Sequence, residues 1–281
     1  MSVVTRFAPS PTGPLHIGHA FSAIRAHDFA RDAGGRFLLR IEDTDRARSR
    51  PQWEEAIYDD LAWLGLTWDG PVLRQSERDV AYQTALDKLA ADGLLFPCSC
   101  SRADIHEAAA APQEGVPTHG PDGEIYPGTC RGRAMAEYAP GDALRLDMGR
   151  AAEILGEVTF EETGDGAKGP QTYRADDLVR GIGDVVVARK SGDHAYHLAS
   201  VVDDAAQGVT HVVRGLDLFE ATVIHCVLQG LLGYEAPIYL HHRLIRDAHG
   251  KRLAKRDNAA GIAVYREAGE GPGDIRAMVG L

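Results

Sequence analysis

Apolar positions along the chain fall into short runs with two different periods. Val3 to Phe7 is a compact apolar run rich in β-branched residues, closed by Pro9, Pro11, Gly13 and Pro14. Ile17, Phe21 and Ile24 then recur at the spacing of one helix face, so the amino terminus predicts strand, turn, helix. Gly34 and Gly35 supply a helix stop, and Arg36 to Ile41 predicts the second strand of a β-α-β unit. Glu54 to Leu64 and Glu77 to Ala91 predict two more helices, the second opened by Ser76 with Asp79 three positions on, a capping-box-like start. From Asp184 the alternation resumes. It predicts strands over Val185 to Ala188, Val209 to Val213 and Ile238 to Leu240, with helices over Tyr196 to Ala206 and Phe219 to Leu232. This order predicts an α/β fold with a Rossmann-type doubly wound parallel sheet in two halves, residues 1–95 and 184–245. A smaller domain is expected to be inserted over residues 96–183, and residues 246–281 to carry a loop and a helical segment. Within the insertion, the Ala-, Pro- and Gly-rich stretch from Ala108 to Gly123 reads as a loop.

With 281 residues and 44% hydrophobic content the chain has ample material for such a core. No apolar run approaches the roughly 20 residues of a membrane span, and the amino terminus lacks a secretory pattern. A cytoplasmic, monomeric enzyme with no membrane partner is the expectation. Lys plus Arg number 30 against 41 Asp plus Glu, a formal charge of −11, which argues against binding nucleic acid by bulk electrostatics. An RNA must therefore meet a local basic patch, and Arg46, Arg48 and Arg50 form the most obvious one.

Four cysteines, two of them in Cys98-Ser99-Cys100, point to a reduced compartment and a metal site more than to a disulfide framework. Cys98, Cys100 and Cys130 can supply three thiolates to a tetrahedral zinc, and ordinary zinc chemistry favours His106 or His119 as the fourth ligand. No open ligand position or nearby base is evident, so this metal would be structural. Cys226, in the apolar run Val223 to Leu232, reads as a helix-core residue.

Further chemistry gathers near the amino terminus. His16 and His19 lie on the first turn of the first helix, three apart and on one face, beside amides without intrahelical partners, a place that suits phosphate. Gly18 between them removes a side chain where a base or ribose would approach. Glu42 stands at the carboxyl end of the second strand, where α/β sheets bind ligands, and could hold an ammonium group.

Pro9-Ser10-Pro11-Thr12-Gly13-Pro14-Leu15-His16-Ile17-Gly18-His19 resembles the HIGH signature of class I aminoacyl-tRNA synthetases, in the wording of glutamyl-tRNA synthetases. Arg40-Ile41-Glu42-Asp43-Thr44-Asp45 matches the same family, as do the runs from Ala195 to Asp204 and from Thr210 to Leu218. Gly250-Lys251-Arg252-Leu253-Ala254-Lys255-Arg256 is similar to the KMSKS loop, with Lys255 at the second lysine, Arg252 replacing the first and Ala254 where the family has serine. The resemblance implies that His16, Gly18, His19 and Lys255 bind ATP with Mg2+, and that His16, His19 and Lys255 serve catalysis. It assigns L-glutamate to Arg6, Ser10, Glu42, Tyr196 and Arg214, and planar guanidinium groups suit a carboxylate through bidentate pairing. Cys98-x-Cys100 with Tyr126-x-x-x-Cys130 looks like the zinc set of the truncated paralogues and nominates Tyr126 as fourth ligand, although the interval between Cys100 and Cys130 is unusually long.

The chain stops soon after the KMSKS-like loop, without the helical anticodon-binding region of full-length glutamyl-tRNA synthetases. The family with that truncation is the glutamyl-queuosine tRNA(Asp) synthetases. The resemblance implies activation of L-glutamate to glutamyl-adenylate and its transfer to queuosine in the anticodon stem-loop of tRNA(Asp). Alternatives are a catalytic fragment of an ordinary synthetase charging tRNA(Glu), a HIGH-fold nucleotidyltransferase acting on a small molecule, or a non-catalytic RNA-binding remnant.

Overall fold

A computed structural model of the chain describes residues 2–109, 117–246 and 261–281. The amino half forms as the periodicity predicts. β1 (Val4–Phe7) and β2 (Arg36–Ile41) pair in parallel, with Thr5 opposite Phe37 and Phe7 opposite Leu39, and α1 (Ile17–Asp32) connects them. α1 buries Ala20, Ala23, Ala26 and Ala30 along with Phe21 and Ile24, so its backbone can lie close to the sheet. α2 (Pro51–Trp63) starts three residues before the expected Glu54, because Pro51 at the first helical position is already preset for the helix. It leads into the two-residue strand β3 (Leu73–Arg74), which pairs in parallel with β2.

α3 (Asp79–Ala91) corrects the expected Ser76 cap. Ser76 lies in a 3-10 turn over Gln75–Glu77, and its backbone N and Oγ donate to the Asp43 carboxylate at 2.8 and 2.6 Å. A tertiary acceptor has taken the hydroxyl that a local cap would use.

β4 (Leu95–Cys98), α4 (Arg102–Ala109) and the small hairpin of β5 (His119–Gly120) and β6 (Gly123–Glu124) follow. Next come β7 (Ala143–Leu146), α5 (Met148–Leu155), β8 (Glu157–Glu162), β9 (Gly169–Arg174), the helical turn α6 (Ala175–Asp177) and β10 (Val186–Ala188). The chain then runs through α7 (Tyr196–Gln207), β11 (His211–Gly215), α8 (Thr222–Leu232) and β12 (Ile238–His242), and ends with α9 (Ile262–Glu267) and α10 (Pro272–Met278).

β11 pairs in parallel with β12, β12 in parallel with β8, and β8 antiparallel with β9. Thr210 N donates to Val4 O at 3.0 Å and Val4 N to Thr210 Oγ1 at 2.8 Å, which seats the start of β11 beside β1. The main layer thus runs β3-β2-β1-β11-β12-β8-β9, the central reversal of a doubly wound sheet. β10 does not join it. That strand runs antiparallel to β7 in a separate sheet with β4, its register slipping between Val186 and Ala188.

One buried cluster packs α1 and α2 on β1 and β2 through Phe7, Ile24, Leu39, Ile57 and Leu61. A larger one joins α3, α5, α7 and α8 to β8 through Leu89, Met148, Phe160, Leu198 and Val227, with Cys226 buried in it as expected. Each such side chain stabilises the fold by about 1.5–3 kcal/mol. Among the described residues, no helix is long and apolar enough to cross a membrane.

Candidate active site and metal centre

His16 is the cap of α1 and His19 its third residue. His16 Nδ1 accepts from Gly18 N and His19 N at 3.1 and 3.3 Å, while His19 Nδ1 accepts from the His16 backbone N at 3.1 Å. The two rings stack 3.7 Å apart. The His16, Gly18 and His19 amides are therefore already engaged by the imidazoles, which differs from the open amide cradle expected of a bare helix start. Because Nδ1 accepts in both rings, each neutral imidazole carries its proton on Nε2, and that N–H becomes the donor with which the pair can meet a phosphate. A Cβ on Gly18 would come within 3.0 Å of the His16 ring, so glycine here protects the cap itself. Gly261, where the described chain resumes, forms an antiparallel bridge with His16. Lys255, with Arg252 and Ala254, lies outside the described residues.

Beside this helix start a charged cluster is buried between the halves of the sheet. Arg6 on β1 donates from Nε to Asp204 Oδ1 at 3.0 Å, and fully buried Arg40 on β2 donates from Nη1 to the same oxygen at 2.6 Å. Arg40 also donates to Glu42 Oε1 at 3.3 Å, and Ser200 Oγ donates to that oxygen at 3.4 Å. Burial pushes the Asp204 carboxyl up, but the Arg40 and Arg6 guanidiniums outweigh it and hold it below the usual carboxylate value. Glu42 comes out the other way. Burial raises its carboxyl more than Arg40 and Arg6 lower it. A cation arriving beside Glu42 would complete its neutralisation. The backbone N of Glu42 donates to Pro9 O at 3.0 Å, which holds the Ser10 loop against this carboxylate.

Tyr196 opens α7, its phenol pushed up by burial and within the field of Arg214, Glu42, Arg6 and Arg40. Arg214 on β11 is buried. It donates from Nε to His241 Nε2 at 3.0 Å, from Nη1 to His225 Nδ1 at 3.4 Å, and from Nη2 to Thr222 Oγ1 at 2.7 Å and Leu218 O at 3.2 Å. Among the described residues these bonds engage four of its five N–H groups. The remaining one, on Nη1, can meet a ligand, so in this arrangement Arg214 offers a single aimed donor rather than a bidentate fork. Burial and the Arg214 charge lower His241 to about 4, against the pull of Glu162.

The cysteine cluster is built at the end of β4. The Sγ atoms of Cys98, Cys100 and Cys130 lie within 4.8 Å of one another, with Cys100 and Cys130 3.5 Å apart. The Tyr126 hydroxyl stands 3.4 Å from Cys98 Sγ and 3.5 Å from Cys100 Sγ. A tetrahedral zinc with three sulfur ligands and one oxygen has ligand–ligand edges of about 3.5 to 3.8 Å, so the donor set fits such an ion. Burial raises the Cys130 thiol, but bonds from the Tyr126 hydroxyl and the Ser99 backbone lower it to about 6. His106 instead meets Glu124 at 3.1 Å and His119 meets Thr118 at 3.1 Å, both at the exposed surface.

Arg46 pairs with Asp79 at 2.9 Å, Arg48 pairs with Asp45 at 2.6 Å, and Arg50 donates to the Ala47 and Ser49 carbonyls, all at the surface. Arg46 and Arg50 line an open cleft of about 380 Å³ with Pro11 and Asp43, at the start of α2. Exposed pairs of this kind contribute only about 0–1 kcal/mol, so a phosphate can displace them.

The family described as tRNA synthetases class I (E and Q), catalytic domain, matches residues 2–281. The chain belongs to this family. As a member it is a ligase. A Glutamyl-Q tRNA(Asp) synthetase of Rhodobacter capsulatus is 59% identical over 99% of this chain and 100% of its own length. Another, from Geobacter sulfurreducens, is 45% identical over 94% of this chain and 79% of its own. A glutamate tRNA ligase from Elizabethkingia meningosepticum, solved in complex with its amino acid, superposes with a TM-score of 0.75 at 28% identity. That match covers 97% of this chain and 59% of the ligase. The methionyl-tRNA synthetase of Mycobacterium tuberculosis shares the fold, with a TM-score of 0.63 at 11% identity over 98% of this chain and 63% of that one.

Within this synthetase fold Arg6, Glu42, Tyr196 and Arg214 are legible from sequence motifs, whereas the Arg40, Asp204, His225 and His241 contacts are not. The available signal was the acidic pair Asp203-Asp204 on the otherwise apolar stretch of α7. Asp204 binds β1 and β2 through Arg6 and Arg40. Asp203 accepts from Arg78, Gln75 and Tyr82 at 3.1, 3.0 and 2.7 Å, holding α7 to the region around α3.

Proposed function

We propose that the enzyme activates L-glutamate with Mg2+-bound ATP and transfers the glutamyl group to queuosine in the anticodon of tRNA(Asp). The observation that carries the amino-acid half is the convergence of Arg6, Glu42 and Arg214 on Tyr196, one incompletely neutralised carboxylate among guanidiniums. That charge pattern complements an ammonium flanked by two carboxylates. Glu42 and Ser10 would hold the ammonium end, and Arg6, Tyr196 and Arg214 would take the carboxylates. The α-carboxylate attacks the α-phosphorus of ATP and pyrophosphate leaves. His16 and His19 donate from Nε2 to phosphate oxygens as charge builds on them, and Lys255 serves the leaving group. The queuosine cyclopentenediol hydroxyl then attacks the carbonyl carbon of glutamyl-adenylate, forming the ester and releasing AMP.

The acceptor half is supported by the names of relatives matched over most of their length. The reacting nucleotide would enter beside the α1 start, with Arg46, Arg48 and Arg50 along its phosphates. A queuosine-bearing tRNA(Asp) stem-loop is expected to accept labelled glutamate, its guanosine counterpart to accept none, and binding to weaken with rising salt. Label appearing instead at the 3′ terminal adenosine of tRNA(Glu) would replace this reading with ordinary glutamyl-tRNA synthesis.

Cys98, Cys100, Tyr126 and Cys130 would hold a structural zinc that fixes the end of β4 to the following loop. Protein purified without chelator should carry one zinc per chain. Cys98→Ser should lower the melting temperature while leaving pyrophosphate exchange at saturating substrate near wild type. Metal analysis finding no zinc sinks this assignment, and zinc retained in Tyr126→Phe removes the phenol from the ligand set.

A further inference from the structure

Arg214 is always a donor, and this fixes the proton positions of the groups around it. His241 Nε2 accepts from Arg214 Nε at 3.0 Å, so neutral His241 carries its proton on Nδ1, which donates to Glu162 Oε2. The other carboxylate oxygen, Oε1, accepts from the backbone N of His241 at 3.0 Å and of Gly164 at 2.7 Å. Glu162 and His241 are both fully buried. The turn is closed tightly, since a Cβ on Gly164 would stand 2.2 Å from His241 O and 2.7 Å from Glu162 Oε1.

A second line leaves Arg214 through His225, whose Nε2 meets His197 Nδ1 at 3.0 Å, and ends where His197 Nε2 meets Asp122 at 3.3 Å. Asp122 is 47% exposed, so water can replace its carboxylate. Nothing can replace Glu162 in its dry site. The burial of Glu162 on β8 has no part in the chemistry described above, and a carboxylate here is otherwise a costly choice.

We propose that Glu162 is a positioning residue that, by fixing the tautomer of His241, sets which face of Arg214 meets the amino-acid substrate. The role rests on reading Arg214 as a glutamate ligand. In Glu162→Gln the amide has two orientations. With its oxygen towards the two backbone N–H groups, its NH2 faces His241 Nδ1 and drives the proton to Nε2, where Thr222 Oγ1 at 3.2 Å can accept it and Arg214 Nε–H loses its acceptor. Turned over, it sets its NH2 against both backbone N–H groups. The first conflict involves one donor and the second involves two, so the tautomer flips and the guanidinium must turn.

The test combines ring-nitrogen NMR of His241 with glutamate-dependent ATP–pyrophosphate exchange. In folded Glu162→Gln the His241 proton should move from Nδ1 to Nε2. KM for glutamate should rise about tenfold or more, and KM for ATP should stay within about twofold, as suits loss of one well-aimed charged hydrogen bond. A glutamate KM within about twofold of wild type, or an equal rise for both substrates, overturns the proposal. Should Glu162→Gln fail to fold by circular dichroism, the same kinetics are read on His241→Gln, which keeps an acceptor for Arg214, and on His241→Leu, which does not. Glutamine must then show the lower glutamate KM, and equality overturns the proposal. Wild-type enzyme without glutamate-dependent exchange would instead defeat the functional reading itself, so the two failures are told apart.

Discussion

Arg214→Ala should cost glutamate-dependent pyrophosphate exchange about 2 to 5 kcal/mol in kcat/KM, roughly 30-fold to a few thousand-fold. The guanidinium is buried, its other donors are committed to Thr222, Leu218, His225 and His241, and it has no solvent pathway to a substitute. The loss should appear mostly against glutamate and little against ATP, because the histidine pair at the α1 start has its own scaffold. Exchange at wild-type glutamate concentrations would show that the amino acid binds elsewhere.

The largest expected effect on stability belongs to Asp204→Asn. One carboxylate serves Arg6 and fully buried Arg40, and its removal leaves Arg6 without its ion-pair partner and Arg40 with Glu42 alone, a change worth about 3–5 kcal/mol. In a chain of this size that corresponds to a fall in melting temperature of roughly 6 to 20 °C. The sign with pH follows from the carboxyl's depressed folded value. Its stabilisation is fully present above the ordinary value of 3.8 and is lost as the pH falls through the lower folded value, so variant and wild type should converge in acid. Equal melting temperatures at neutral pH would mean that Arg6 and Arg40 find other partners.

Much of this site is readable from the chain alone because its parts are local signals. The strand-turn-helix around His16, the second strand leading into Glu42, and the helix opened by Tyr196 each carry their own periodicity and punctuation. What sequence could not supply is pairing. Ser76 has every mark of a helix cap, yet Asp43, 33 positions away, takes its hydroxyl. Val185 to Ala188 reads as one more strand of the alternation, but the strand that forms, β10, pairs with β7. β8 shows clean alternation, with Val158, Phe160 and Glu162 turned inward. An acidic residue at an inward position carries no label saying that His241 waits opposite. Arg40 is hidden for a similar reason, since an arginine at the end of a strand is usually a surface residue.

The seam between β1 and β11 also sets a condition on how the molecule is made. Arg6 finds Asp204 across 198 positions of chain. At typical synthesis rates the amino-terminal strands therefore leave the ribosome about 10 to 40 s before the helix that neutralises them. During that interval the inner edge of β1 lacks its neighbour, and both guanidiniums must stay hydrated. Even the core around β1 and β2 is completed late, since Val213, Leu240, Ile262 and Ile275 belong to it. Tyr196 on α7 and Arg214 on β11 are also made late, so the proposed glutamate site is incomplete on any nascent chain that ends before β11, even though His16 and His19 are already in place.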